Sequence, residues 1–174
     1  IINNLGTKSD EEIINGFRLA NGGSREYFSI DVDMVTFGKG ISNGSPLSAL
    51  VGKKECMDIF EKVFYSFTFG GEPVALAAAK ASIIASKKYN TVQHQMNVGQ
   101  KLLDGLKELI STYKLNEIII PKGTPVRTVL NFYNPEDKTI DFRIKSLFQQ
   151  EVIKRGILIS GEHALSFAHK DEHI

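Results

Sequence analysis

Residues 33–58 read DMVTFGKGISNGSPLSALVGKKECMD, and this stretch decides the fold. Asp33 to Phe37 is a short apolar run that stops at Gly38-Lys39-Gly40, which predicts a strand ending in a tight turn. Pro46 to Val51 is a second short apolar run, bounded by Gly44 and Gly52, and predicts another strand. Lys54 to Val63 carries Met57, Phe60 and Val63 at helical spacing. Short strands mixed with helix-period segments indicate an α/β protein. Lys39 is the most informative residue of the stretch. A lysine at a strand end between two glycines can be held in a pocket, where desolvation lowers its pKa and frees the amine as a nucleophile. An ordinary exposed loop lysine fits the same local pattern, so the pattern alone leaves both readings open. The tract Gly38 to Gly44 is not a Walker loop, because that loop needs its lysine after the spacer and here Lys39 precedes it.

Downstream, Ser66-Phe67-Thr68-Phe69-Gly70-Gly71 is a hydroxyl-and-glycine turn whose helix-start amides and Thr68 hydroxyl suit an anion, or form a plain connecting loop. It enters an Ala-rich helix over Pro73 to Lys88, with proline in the first turn. Thr91 to Tyr113 has an apolar stripe of helical period from Val92 through Met96, Leu102, Leu106 and Ile110. Leu115 to Ile120 and Val126 to Tyr133 read as strands separated by Pro121-Lys122-Gly123. Asp141 to Arg155 reads as a helix with Gly156 just past its end, and Ile157 to Ile159 as a short strand. The chain is Gly- and loop-rich before about residue 90 and alternates helices with strands after it, which places a domain boundary between 1–90 and 91–174. Upstream, residues 1–10 are polar and patternless. Glu11 and Glu12 are candidates for acid–base work, with a solvated charge pair as the default.

The balance of 21 Lys plus Arg against 20 Asp plus Glu, net +1, gives no footing for nucleic acid or a membrane surface. A single cysteine excludes an internal disulfide framework and a multi-cysteine zinc site. His163, His169 and His173 cluster near the end, but without a placed carboxylate partner they read as structural rather than as metal ligands. No apolar run approaches the roughly 18 residues of a membrane span, and no signal-peptide pattern opens the chain. A cytoplasmic location is the expectation.

Together EEIINGFRLANGG (11–23), EYF (26–28), residues 33–58, SFTFGGEPVALAAA (66–79) and RGILISGEHALSFAHKDEHI (155–174) closely resemble the class III, fold-type-I aminotransferases that use pyridoxal phosphate. The branch they resemble is that of the glutamate-1-semialdehyde 2,1-aminomutase-like proteins. The resemblance implies the C-terminal part of a cofactor-binding large domain over 1–90, followed by a small C-terminal α/β domain over 91–174. It implies that Lys39 joins the cofactor aldehyde as an imine and that Glu11 stands beside the pyridine nitrogen. It implies further that Thr68 reaches the cofactor phosphate of a neighbouring subunit in a homodimer. The implied reaction moves an amino group between small amino and keto compounds. A rival expectation is a non-catalytic remnant that binds no cofactor on its own.

The chain departs from the family pattern in three places. The family has Asp where Glu11 stands, one methylene shorter. It has an apolar strand where Gly6 to Asp10 is polar, which marks residues 1–10 as foreign or misjoined. Aminomutases carry a Glu near the substrate where Gly161 falls. The resemblance covers less than half of a complete family member, so the sequence is read as a C-terminal fragment.

Overall fold

The computed structural model describes residues 7–174. Residues 1–6, and the expectation attached to them, lie outside that range. The chain divides into two compact units, one running to Val92 and the other covering Gln93–Ile174.

The first unit contains β1 (Ser9–Glu12), α1 (Ser24–Tyr27), β2 (Met34–Phe37), β3 (Ala49–Gly52), α2 (Lys54–Met57) and α3 (Pro73–Lys88). Its sheet has the order β1-β2-β3, with β1 parallel and β3 antiparallel to the central β2. Met34 and Val35 of β2 are buried, as the apolar run requires. β1 corrects the expectation that the lead is patternless up to residue 10. Ser9-Asp10-Glu11-Glu12 carries no apolar alternation, yet it pairs along the whole of β2, because backbone hydrogen bonding does not ask for apolar side chains. The Lys8 N–H donates to Asp33 Oδ2 at 2.8 Å, and the Asp33 N–H donates to the Lys8 carbonyl at 2.8 Å, which fixes the entry.

Lys54 to Val63, expected as one helix, is α2 followed by a 3-10 stretch over Asp58–Lys62. Neither segment buries a residue, and a short helix without a packed face has little to hold it. α3 runs from Pro73 to Lys88 as expected, burying Ala75, Ala79 and Ser86. It lies beside a 3-10 turn over Lys39–Ile41. Ser86 Oγ–H donates to Asn21 Oδ1 at 2.9 Å, tying α3 to the loop that follows β1.

The second unit holds nearly all of α4 (Thr91–Thr112), then β4 (Ile119–Thr124), β5 (Arg127–Phe132), α5 (Phe142–Lys154) and β6 (Glu162–Ala164). Its sheet is antiparallel in the order β4-β5-β6. Val98, Ile110, Val126, Leu130, Phe132 and Leu165 are buried, and the Phe132 and Phe148 rings stand 5.2 Å apart. Two expected strands move. Residues 115–118 are not strand: the Leu115 N–H donates to the Ile110 carbonyl and closes α4. Pro121-Lys122-Gly123 lies inside β4 rather than in a turn, because β4 is an edge strand where a missing proline N–H is tolerated. Ile157 to Ile159 is likewise not a strand. The Ile157 N–H donates to the Val152 carbonyl at the end of α5, and the third strand forms at Glu162–Ala164. Among the described residues no helix is long and apolar enough to cross a membrane.

Candidate active site

β1 and β2 run parallel, with Glu11 opposite Thr36 and Glu12 opposite Phe37. Their carboxyl ends therefore open at one edge of the sheet, the edge at which open α/β sheets bind ligands. Glu11 is the penultimate residue of β1, and Lys39 follows two residues after β2 ends.

Lys39 has φ +43, a left-handed conformation that costs a β-carbon-bearing residue about 1 kcal/mol or more. The turn around it supplies the compensation. The Ile41 N–H donates to the Gly38 carbonyl at 3.1 Å, and the Asn43 N–H to the Lys39 carbonyl at 3.2 Å. The side chain is exposed, and its Nζ has no hydrogen-bond or ion-pair partner among the described residues. The desolvating pocket anticipated from the flanking glycines is thus not built by the described residues, while the amine itself is free. Glu11 is also exposed, and its Oε1 accepts the Ile13 N–H at 3.0 Å.

The default of two solvated acids fails for Glu12, which is 0% exposed. Successive strand residues leave opposite faces, so Glu12 turns away from the face that carries Glu11 and Thr36. Its Oε1 accepts the Ser24 hydroxyl at 2.7 Å and the Arg25 N–H at 2.8 Å. The signal that would have found it is the strand alternation taken together with the donor-rich turn Gly22-Gly23-Ser24.

Thr68 lies in the run 61–70, every residue of which is exposed, and its hydroxyl has no partner among the described residues. The helix-start amides behind it are not free. Glu72 caps α3, its two carboxylate oxygens accepting from Val74 N–H at 3.0 Å and Ala75 N–H at 2.6 Å, and Pro73 has no N–H to offer. The expected anion cradle at that helix start is therefore occupied by the protein's own carboxylate.

At Gly161 a Cβ would lie 2.5 Å from Lys145 Cε, so the space for a side chain there is filled by lysine. The histidines brace the C-terminal turns. His94 Nε2 meets the His169 carbonyl at 2.7 Å, and the Ser166 N–H donates to His169 Nδ1 at 3.1 Å. The Lys170 N–H donates to His173 Nδ1 at 3.0 Å, and burial holds the His163 pKa below its ordinary value. The described residues contain no cluster of His, Cys, Asp and Glu arranged for a metal ion.

The unpartnered Lys39 amine and the Glu11 carboxylate stand at adjoining strand ends, and the Thr68 hydroxyl lies apart from them in the exposed run 61–70; a primary amine and a carboxylate are groups that a cofactor bearing an aldehyde and a basic ring nitrogen can use. The fold agrees. The chain superposes on the FumI protein of Sphingopyxis sp. MTA144, solved in its pyridoxal-phosphate form, with TM-score 0.85 and 24% identity, covering 99% of this chain and 41% of that one. It superposes on an S-selective transaminase from Arthrobacter sp. with TM-score 0.82 and 21% identity, covering 99% and 42%. The architecture is mixed α/β and matches part of the type-I fold of these two proteins. Residues 11–167 match the family model for class-III aminotransferases, and the chain belongs to that family. It is 31% identical over 180 residues to the glutamate-1-semialdehyde 2,1-aminomutase of Alkaliphilus oremlandii (strain OhILAs), covering 94% of this chain and 40% of the relative. It is 31% identical over 179 residues to the enzyme of the same name from Methanothermobacter thermautotrophicus (strain ATCC 29096 / DSM 1053 / JCM 10044 / NBRC 100330 / Delta H), covering 94% and 41%. The chain thus spans about two fifths of the length of these relatives.

Proposed function

We propose that the protein carrying this chain is a pyridoxal-phosphate-dependent aminotransferase or aminomutase. It moves an amino group between small amino and keto compounds in the manner of glutamate-1-semialdehyde aminomutase. The observation that carries the reading is the unpartnered Lys39 amine at the end of β2, at the same sheet edge as Glu11. When bound, the cofactor supplies an electron sink that lets a bond to the substrate's amino-bearing carbon break. Lys39 Nζ would hold the cofactor through its aldehyde, with loss of water, and its amine, when free, would carry a proton to or from the substrate's amino-bearing carbon. Glu11 holds the proton on the pyridine nitrogen, its extra methylene relative to Asp being taken up by backbone position. Thr68 donates its hydroxyl to a phosphate oxygen at the neighbouring site of a homodimer, which makes the interface isologous. In this reading residues 1–90 are the C-terminal part of the cofactor domain and 91–174 the small domain, and the reaction runs in the cytoplasm.

A second reading, a chain that folds but retains no cofactor by itself, draws support from the exposure of Lys39 and from the capture of the α3 amides by Glu72. The test is Lys39→Ala and Lys39→Arg in the complete protein. Both are expected to abolish the cofactor's bound absorbance band and transamination, since a guanidinium is effectively always protonated. Retained turnover in either variant would overturn the assignment.

A further inference from the structure

Glu12 is a carboxylate with no access to solvent, an unusual state that is tolerated when the group is hydrogen-bonded. Its Oε1 takes two donors from one turn, Ser24 and Arg25, while its Oε2 is buried without a partner among the described residues. The turn is closed hard onto it. Gly23 has φ +83, and a Cβ there would stand 2.2 Å from the Glu12 carboxyl carbon, so only glycine lets the turn approach. The main chain of Glu12 is used as well, its carbonyl accepting the Gly16 N–H at 2.9 Å. Both ends of the loop from Gly16 to Arg25 are therefore fastened to one residue.

The start of that loop walls the Lys39 turn. The Phe17 ring lies 5.9 Å from the ring of Phe37, the last residue of β2. The Gly16 carbonyl backs Gly40, 3.6 Å from where its Cβ would be, and Ile13 backs Gly38 at 3.1 Å. Lys39 sits between those two glycines in a left-handed conformation, and such a conformation persists only where the surroundings over-determine it.

We infer that Glu12 is a positioning residue for Lys39: its buried carboxylate fastens the loop whose first residues hold the Lys39 turn in place. Glu12 faces away from Glu11 and acts through the loop, so it has no contact with the reacting atoms. The significance of the coupling rests on the amino-transfer reading, whereas the coupling itself does not.

Amide hydrogen exchange on the 174-residue chain tests it without any cofactor. The Arg25 amide reports the fastening, the Ile41 and Asn43 amides report the Lys39 turn, and the Lys53 amide, bonded to the Asp33 carbonyl at 2.8 Å, reports the sheet. Glu12→Ala is expected to speed exchange at Arg25, Ile41 and Asn43 by about tenfold or more, the scale of losing hydrogen bonds to a charged acceptor, and to leave Lys53 within about twofold. Glu12→Gln, whose amide oxygen accepts the same two donors, is expected to return Ile41 and Asn43 to within about threefold of the parent. Faster exchange at Arg25 with Ile41 and Asn43 unchanged would reduce Glu12 to a local staple and overturn the inference. Should Glu12→Ala unfold the chain, Ser24→Ala removes one donor alone; about threefold faster exchange at all three amides supports the coupling, and a change confined to Arg25 refutes it. In the complete protein, borohydride trapping of pyridoxal phosphate on Lys39 is expected to fall in Glu12→Ala and recover in Glu12→Gln. Absence of trapping in the parent protein would count against the amino-transfer reading, and the exchange result would still decide the coupling.

Discussion

Along a strand, neighbouring side chains leave opposite faces, and in Glu11-Glu12 that rule sends one carboxylate to solvent and the other into the interior. The partners, and not the residue type, then decide what each can do. Asp141 makes the same point with a pH-dependent consequence. It caps α5, accepting the Arg143 N–H at 2.8 Å, and the Arg143 guanidinium donates to it at 2.7 Å. That guanidinium is the largest influence on its acidity; the amides of Arg143 and Ile144 add to it against the opposing effect of desolvation, and the pKa falls from 3.8 to about 2. A depressed carboxylate pKa contributes stability that is full above the unfolded value and drains away as pH drops through the folded one. Stability of the second unit is therefore expected to decline between about pH 4 and pH 2 through this group. Asp141→Asn retains a capping oxygen but removes the titration, so unfolding curves taken from pH 5 to pH 2 are expected to fall less steeply for the variant. An unchanged slope would contradict the assignment.

At the scale of elements, packing overrides intrinsic propensity in a testable pair. Gly99 and Gly105 both lie inside α4, where alanine is favoured over glycine by up to about 1 kcal/mol. A Cβ on Gly99 would stand 2.1 Å from the Pro125 carbonyl oxygen, at the turn between β4 and β5, whereas one on Gly105 would meet nothing within 4 Å. Gly99→Ala is expected to destabilise by about 1–3 kcal/mol, the cost of overpacking, and Gly105→Ala to stabilise by about 0.5–1 kcal/mol, as read from denaturant melts. The same contrast explains what the sequence made legible. α3 could be read because Pro73 and the alanine run are local signals that agree with the packing. β1 could not, because four polar residues become a strand only by meeting the backbone of β2. Pro121 misled because its tolerance depends on β4 being an edge, a fact of sheet order. Around the candidate site, the end of β2 and the turn at Lys39 were legible from the flanking glycines. The exposure of Lys39 was one of the two readings the pattern left open, whereas the burial of Glu12 was not legible, since it depends on the loop between β1 and β2. Glu72-Pro73 is a local cap signal, and its carboxylate takes the first free amides of α3.

On the scale of the whole molecule, the first unit carries an unusual apolar surface. Phe64 is 96% exposed, and Tyr65, Phe67, Phe69 and Val74 are exposed beside it in sequence. Exposed apolar stretches of this kind mark interaction surfaces, and this one contains Thr68, the residue proposed to serve a second subunit. Thr68→Val in the complete protein is expected to weaken cofactor retention on gel filtration without lowering the melting temperature of the cofactor-free form. A monomer with full activity at low concentration would contradict the shared site. The central claim is that Lys39 is the amine that holds the cofactor. Its most direct test is to treat the complete protein with pyridoxal phosphate and sodium borohydride, digest it, and map the pyridoxyl label by mass spectrometry. One label per chain, on Lys39, is expected, and none at stoichiometric level in Lys39→Ala. A label scattered over surface lysines, or one that persists undiminished in Lys39→Ala, would contradict it.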